Sequence, residues 1–225
     1  MNKSKTTMSS LEEIKDMIID PDKYDHLTLK VSEIFYSLQG EGTRAGTPTI
    51  FIRLTGCKTK NACYKAGIVC DTEFESGKDM TLLEIFEWCE KNADQCNEIT
   101  WTGGEPLDQL TEEHTLYFKN RLFYQAVETS GLQKCPKGID FICVSPKVAE
   151  HVIKKNFTHV SELRYVRHKG QQLPNPSITA DAYWISPHSD GFTINSENLK
   201  HCIDLCKENG KWKLSIQQHK LWNIL

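Results

Sequence analysis

Residues 53–77 read RLTGCKTKNACYKAGIVCDTEFESG, and the three cysteines in that stretch, Cys57, Cys63 and Cys70, decide how the chain around it is read. A cubane of four irons and four sulfides takes thiolate ligands, so three cysteines on one loop leave one iron open to bind a small molecule. Soft thiolates suit iron, and a bound metal keeps the sulfur deprotonated. The spacing C-x5-C-x6-C is not diagnostic by itself. Three thiolates with a histidine would make a closed zinc site, and unligated cysteines are common in protein cores. No histidine lies between His26 and His114, so zinc would need a distant fourth ligand. Cluster, zinc site and ordinary thiols are all open on this loop alone.

Immediately before the loop, residues 49–55 (TIFIRLT) read as a strand that delivers the chain to Cys57. A strand's C-terminal end is where open α/β folds and barrels place their chemistry. Further back, residues 29–37 (LKVSEIFYS) alternate as a strand, followed by the turn LQGEGTRAGTP, rich in glycine and closed by proline. Forward of the loop, Thr81 and Glu84 form a capping box, and Leu82, Ile85, Phe86 and Cys89 share one apolar helical face, with Cys89 in the core. A short strand at 98–101 (EITW) opens into TGGEP, and a helix follows over 112–121. The segments LFYQAVET, GIDFICVSPK, SELRYV, AYWIS and KLSIQQ supply further strands, with helices over 148–155 and 196–208. Strands alternating with helices predict an α/β fold with a mainly parallel sheet or a partial barrel. Successive strands end in small or polar residues (TGC, TGGEP, ETSG, SPK, SPHSDG), which predicts one rim facing the cysteine loop.

A chain of 225 residues suits one compact domain. The formal net charge of -3 gives no basic footprint for a phosphate backbone, so nucleic acid is not an expected partner. Nine cysteines cannot all pair within one chain, and the expected setting is reducing and cytoplasmic. No apolar run spans a bilayer, and the first residues lack the centre of a signal peptide. Ser10 and Glu13 can open a short helix that ends before Pro21, so residues 1–29 read as a peripheral extension and 30–225 as the main domain.

The ordered segments EIFYSLQGEGTRAGTPTIFIRLTGC, CDTEF, TGGEPL, ETSG, ICVSPK, ELRYV and WKLSIQQHKLWNI together resemble the radical S-adenosylmethionine superfamily. Within it, the resemblance is to the 7-carboxy-7-deazaguanine synthase family and spans about residues 30 to 225. It implies an α/β fold of the partial, modified (β/α) barrel type. One departure stands out: the superfamily usually spaces its cysteines C-x3-C-x2-C, and Gly67 sits where the short second gap would place one. Cys63 is the local thiol left for that role. Val69 stands where the family often has an aromatic ring beside the adenine.

The resemblance implies a carbon-nitrogen lyase. A [4Fe-4S] cluster on Cys57, Cys63 and Cys70 would bind and cleave S-adenosylmethionine, and the resulting 5'-deoxyadenosyl radical would take hydrogen from 6-carboxy-5,6,7,8-tetrahydropterin. Ring contraction and loss of ammonia would give 7-carboxy-7-deazaguanine, a step of queuosine-type 7-deazapurine biosynthesis. The implied cofactor contacts are Gly103, Gly104 and Glu105, then Ser145, Pro146 and Lys147, and then Pro187, His188, Ser189 and Asp190. The implied substrate contacts are Leu38, Gln39, Gly40, Glu41, Arg53, Thr102, Gln217 and His219, with Arg53 on the substrate carboxylate, a task suited to a planar fork of donors. Thr72 matches the position that holds Mg2+, an ion that prefers oxygen ligands and often keeps substrate and water among them. An electron donor such as a flavodoxin or ferredoxin and a homodimeric assembly also follow from the resemblance, with no membrane or nucleic acid.

The C-terminal WKLSIQQHKLWNIL reads as a strand-like, packed segment carrying Leu214, Ile216, Leu221 and Trp222, and the family's terminal residue reaches the substrate, which points to the carboxylate of Leu225. Two other functions fit parts of the pattern. A glycyl-radical-enzyme activase would use a similar small barrel on a large protein partner, and a zinc-stabilised interaction module would use the same cysteines with a distant ligand.

Overall fold

Alternation along β2 (Pro48–Leu54) divides the molecule into two chemical halves. Ile50, Ile52 and Leu54 point one way and are completely buried, whereas Thr49, Phe51 and Arg53 point the other. The computed structural model describes residues 17–65, 70, 73–189 and 193–224. Ser10 and Glu13, Thr72, Asp190 and Leu225 lie outside the described residues.

Among the described residues, nine strands form one open sheet in the order β3-β1-β2-β4-β5-β6-β7-β8-β9. These are β1 (Thr28–Leu38), β2, β3 (Lys78–Thr81), β4 (Glu98–Gly103), β5 (Tyr124–Thr129), β6 (Phe141–Val144), β7 (His159–Arg167), β8 (Thr179–Pro187) and β9 (Trp212–Leu214). From β2 to β9 every neighbouring pair is parallel, and β1 runs antiparallel to both β2 and β3. The helices are α1 (Lys60–Lys65), α2 (Leu82–Asn92), α3 (Glu112–Lys119), α4 (Glu150–Asn156), α5 (Ser196–Glu208) and α6 (Gln218–Trp222). The expected α/β partial barrel is therefore the observed architecture, open between β3 and β9.

One face of the sheet is dry. Ile50, Ile52, Leu54, Ile99, Trp101, Val127, Val144, Leu163 and Ile185 meet Leu82, Ile85 and Cys89 of α2, Tyr117 and Phe118 of α3, Ile153 of α4 and Cys202 of α5 in one core. The register places Phe51 beside Thr100, Arg53 beside Thr102, Glu128 beside Cys143, and Cys143 beside Glu162, so the opposite face is polar. Part of that face lines a pocket with Glu128, Cys143 and Glu162.

The capping box is formed: Glu84 N donates to Thr81 Oγ1 at 3.1 Å and Thr81 N donates to Glu84 Oε2 at 2.7 Å. Thr81→Ala is expected to destabilise the protein by about 1 kcal/mol, read as a lower urea midpoint with an unchanged slope.

Two local expectations are corrected and one strand is added. The strand at residues 122–129 starts only at Tyr124, because Leu122 adopts a left-handed conformation (φ 66) and is 82% exposed. A four-residue edge strand, β3, precedes α2; its sequence KDMT carries one apolar residue and gives no alternating signal. The C-terminal segment is a strand over three residues only and then turns into the short α6, with Leu221 63% exposed and Trp222 and Ile224 also facing out. Its apolar residues do not make it a packed strand.

The start of the main domain is tied down. Tyr117 donates its hydroxyl to Asp25 Oδ1 at 2.7 Å, and Arg121 pairs with Asp22 and Asp25, which holds the turn at Pro21–Tyr24 against α3. The expected boundary at residue 30 falls within β1.

Candidate active site

The chain leaves β2 at Leu54 and passes through Thr55 and Gly56 to Cys57, while the neighbouring β4 ends in Gly103 and Gly104. Backbone bonds stitch these two exits together: Gly104 N donates to Leu54 O at 2.9 Å and Glu105 N donates to Gly56 O at 2.9 Å. The approach is so close that a Cβ on Gly104 would overlap Gly56 O and lie 3.3 Å from Cys57 Cβ. Only glycine lets the backbone of the GGE turn lie against the cysteine loop.

Cys57 Sγ sits 3.0 Å from Thr59 Oγ1, Cys63 lies in α1, and Cys70 is exposed. Burial raises the pKa of the Cys63 thiol; Lys147 opposes that, and the neighbouring Cys57 and Cys70 add to it. Cys63 thus lies within electrical reach of both Cys57 and Cys70. Among the described residues, however, no three His, Cys, Asp or Glu side chains form a group that holds a metal ion. The loop gathers the thiols without drawing them into a closed site. Their chemistry fits an iron-sulfur cluster: three soft donors outside any disulfide, which a bound cationic cluster would hold as thiolates.

Glu105 is 1% exposed and braces the rim. Its carboxylate accepts from Thr129 Oγ1 at 2.6 Å, Ser130 N at 2.8 Å, Leu107 N at 3.3 Å and the Ser130 hydroxyl. The TGGEP turn is thereby locked to the ETSG turn at the end of β5. Every partner is a donor, so Glu105→Gln turns an acceptor into an NH2 group facing N–H and O–H groups. The variant is expected to lose about 1–3 kcal/mol and to melt earlier in a thermal scan.

The SPK segment follows β6. Ser145 N donates to Thr129 O at 2.8 Å, and Lys147 Nζ donates to Ser145 Oγ at 2.7 Å. Burial lowers the Lys147 pKa, while the neighbouring Cys63, Glu41 and Cys143 raise it and Arg164 lowers it. Lys147 therefore faces both the cysteine loop and the polar face of the sheet. Pro187 ends β8, His188 stacks on His168 with ring centroids 4.0 Å apart, and Ser189 Oγ accepts from Lys220 Nζ at 3.0 Å.

The LQGEG turn does not arise at the rim. Leu38 pairs with Pro48 at the start of β2, so the turn leaves from the opposite end of that strand and crosses the polar face. Thr43 N donates to Glu162 Oε2 on β7 at 2.8 Å, Gly42 N donates to Ser215 Oγ after β9 at 3.0 Å, and Gly40 O accepts from Gln218 N at 2.9 Å. Gly40 lies against the His219 ring, whose Cγ would be 2.9 Å from an added Cβ. The Leu38–Glu41 turn therefore lies beside the start of α6, with Gln217 at its N-cap and His219 in its first turn. Thr102 stands beside Arg53 on neighbouring strands. Arg53 stacks over Phe35, and its Nη1 donates to Glu33 Oε2 at 2.6 Å, an ion pair that the sequence did not disclose.

Beneath the turn lies a pocket lined by Gln39, Glu41, Glu128, Cys143, Glu162 and Arg164. Arg164 pairs with Glu41 at 2.9 Å, with Glu162 at 2.8 Å and with Glu128 at 3.4 Å. Burial disfavours the Arg164 charge, but Cys143 and the three carboxylates outweigh it and hold its pKa well above the ordinary value. For Glu162, burial raises the pKa, and Arg164 with the Thr43 amide overcomes that and lowers it. Sequence reading had missed Arg164, Glu162 and Glu128. The available signal was the pair of charged residues two apart in ELRYV, which puts both on one face of a strand whose other face holds Leu163.

No protein-family model matches the chain. The 7-carboxy-7-deazaguanine synthase of Bacteroides thetaiotaomicron is 33% identical over 196 residues, covering 87% of this chain and 98% of that protein. The synthase of the same name from Burkholderia multivorans is 33% identical over 213 residues, covering 88% and 100%. Among solved structures, QueE from Escherichia coli matches with a TM-score of 0.64 at 19% identity, over 89% of this chain and 99% of that one, a likeness of fold. Because the identity runs along nearly the whole length of these relatives, this chain belongs to the 7-carboxy-7-deazaguanine synthase family.

Proposed function

We propose that this chain is a radical S-adenosylmethionine lyase that converts 6-carboxy-5,6,7,8-tetrahydropterin to 7-carboxy-7-deazaguanine with loss of ammonia. The reading is carried by the family match along the chain, and the structure supports it by setting the cysteine loop, the GGE turn and a polar pocket on one sheet. The relatives described above are named for the synthase and not for the activase or a zinc module. When bound, the cluster supplies the electron for reductive cleavage of S-adenosylmethionine.

The chain's own part is to position and enclose. Cys57, Cys63 and Cys70 would hold the cluster, and the backbone of Gly103 and Gly104 would lie along the cofactor, with Glu105 fixing the turn from behind. Ser145 to Lys147 and Pro187 to Asp190 would complete the cofactor site. Arg53 would bind the substrate carboxylate, Leu38 to Glu41 with Thr102 would meet the pterin ring, and Gln217 and His219 would close the pocket beside Gly40. Leu225 belongs to the same proposal through its carboxylate. Thr72 would hold Mg2+ together with the substrate carboxylate. Thr72→Ala is therefore expected to raise the magnesium concentration for half-maximal turnover by at least roughly 10-fold, on the scale of losses at metal sites, with unchanged iron content.

We further assign the protein to the cytoplasm as a homodimer reduced by a flavodoxin or ferredoxin. Among the described residues no helix is long and apolar enough to cross a membrane. The direct test is an anaerobic assay of the iron-reconstituted protein with reductant, S-adenosylmethionine, Mg2+ and the pterin. Product and ammonia should appear together; an intact cluster that cleaves the cofactor without consuming pterin would overturn the reading.

A further inference from the structure

Leu29 and Val31 of β1 are buried in the dry core, so strict alternation would send Glu33 there too. It does not, because the register slips by one residue: Val31 stands opposite Leu54 and Glu33 opposite Arg53, with Ser32 left over between them. Such a β-bulge re-aims the side chains that follow it. Beyond it Ile34 packs on the core opposite Ile52, while Glu33 and Phe35 join Arg53 and Phe51 on the polar face. The extra residue is tied down, since the Ser32 hydroxyl donates to Glu73 O at 3.1 Å.

The bulge thereby delivers a carboxylate to an arginine. Phe35 and Phe51 stack with ring centroids 5.0 Å apart, and the Arg53 guanidinium rests over the Phe35 ring at 4.8 Å. Glu33 fixes how the guanidinium is turned on that ring, because its Oε2 accepts from Arg53 Nη1 at 2.6 Å. The contact takes Nη1 and not the edge formed by Nε and Nη2, the edge that meets a carboxylate with two parallel bonds. The side chains of Arg53 and Glu33 are 29% and 40% exposed, so water screens the repulsion between Glu33 and a second carboxylate. The freedom that a long arginine loses on binding is a cost that solvent does not screen, and a prior partner removes part of it.

We propose that Glu33 is a positioning residue that holds Arg53 with its Nε–Nη2 edge turned to the carboxylate of the pterin, and so sets the preference for a carboxylated over an uncarboxylated ring. The proposal rests on the pterin-lyase reading above, in which Arg53 meets that carboxylate, and adds to it the residue and the bulge that aim the arginine.

The test measures equilibrium binding of two non-reacting aromatic pterins, pterin-6-carboxylate and the same ring without the carboxylate, to the reconstituted protein with S-adenosylmethionine and Mg2+. The wild type is expected to prefer the carboxylate by roughly 100-fold, the weight of two charge-assisted hydrogen bonds. Glu33→Ala should shrink that preference by roughly 10-fold, and Glu33→Gln, which keeps an oxygen for Nη1, by only about 3-fold. With 6-carboxytetrahydropterin as substrate, Glu33→Ala should raise KM by a similar factor while kcat changes by less than about 3-fold. Because Glu33 acts through Arg53, adding Glu33→Ala to Arg53→Ala should cost no further preference. An unchanged or larger preference in Glu33→Ala would overturn the proposal, since Glu33 would then be indifferent to the carboxylate or compete with it. Equal weakening for both pterins with a lower melting temperature would overturn it too, as the mark of a purely structural role. Binding stands apart from turnover: the expected pattern in a wild type that consumes no tetrahydropterin would uphold the part of Glu33 and bring down the lyase reading alone.

Discussion

Alanine at Cys63 is expected to give a folded protein that neither holds a four-iron cluster nor turns over the pterin. The position is unusual for the superfamily the chain resembles, because the short second gap would call for a thiol at Gly67. The structure places Cys63 on α1, where its amide donates to Thr59 O at 3.0 Å and its sulfur is half-buried within electrical reach of Cys57, Cys70 and Lys147. Four of the remaining cysteines are buried or half-buried thiols far less ready to ionise. Burial pushes the thiols of Cys89, Cys135 and Cys202 to about 12, and Cys143, also buried, lies well above its ordinary value. A thiol that resists ionisation is a poor ligand until it is moved. The fold should tolerate the change, since a short surface helix and no core contact is lost, with a cost of roughly 1 kcal/mol or less. Iron and sulfide per chain, the visible absorbance and cofactor cleavage measure the outcome, with Cys57→Ala as the reference that must fail. Full iron content and turnover in Cys63→Ala would remove it from the ligand set.

How much of this was legible in the sequence follows from the range of the forces involved. The strands of the dry face announced themselves because TIFIRLT, EITW and SELRYV carry branched and aromatic residues whose burial depends little on which strand lies next door. The cap at Thr81 and Glu84 is a contact over three residues and was readable for the same reason. The Arg53 to Glu33 pair depends instead on an antiparallel partner and a register, and Arg164 draws carboxylates from residues 41, 128 and 162. Apart from the Glu162–Arg164 pair, which the spacing in ELRYV carries, nothing local encodes those contacts. The short α6 was hidden too, because five residues cover little more than one turn and its apolar side chains face outward. The glycines of TGGEP leave backbone amides and carbonyls unobstructed, but what they approach, the exit of β2, is a fact of sheet order alone.

That approach makes Gly103→Ala a damaging substitution, because it adds backbone strain to a clash. Gly103 holds φ at 110, a conformation that costs an L-residue about 1–3 kcal/mol where the surroundings enforce it. They do enforce it here: an added Cβ would overlap Leu54 O, lie 2.5 Å from Leu54 N and 2.9 Å from the Arg53 carbonyl carbon. These are backbone atoms of the adjacent parallel strand and cannot rotate away, so overpacking adds about 1–3 kcal/mol more. The combined loss of about 2–6 kcal/mol corresponds to a fall in melting temperature of roughly 4–24 °C for a chain of this size. Gly170→Ala separates the two contributions, because Gly170 also has positive φ, at 87, yet nothing lies within 4 Å of the Cβ it would gain. It should show the smaller, purely conformational loss. The clash also has a chemical consequence that strain does not. Relieving it means widening the gap between β2 and β4, which pulls Gly104 from Leu54 O and Glu105 from Gly56 O, the two bonds that seat the turn against the cysteine loop. Well below its melting temperature, Gly103→Ala should therefore bind S-adenosylmethionine weakly at full iron content, whereas Gly170→Ala should bind it like the wild type. Equal melting temperatures and equal cofactor affinities for the two variants would show that β4 can step aside, and that the glycines of this turn are not there for the approach.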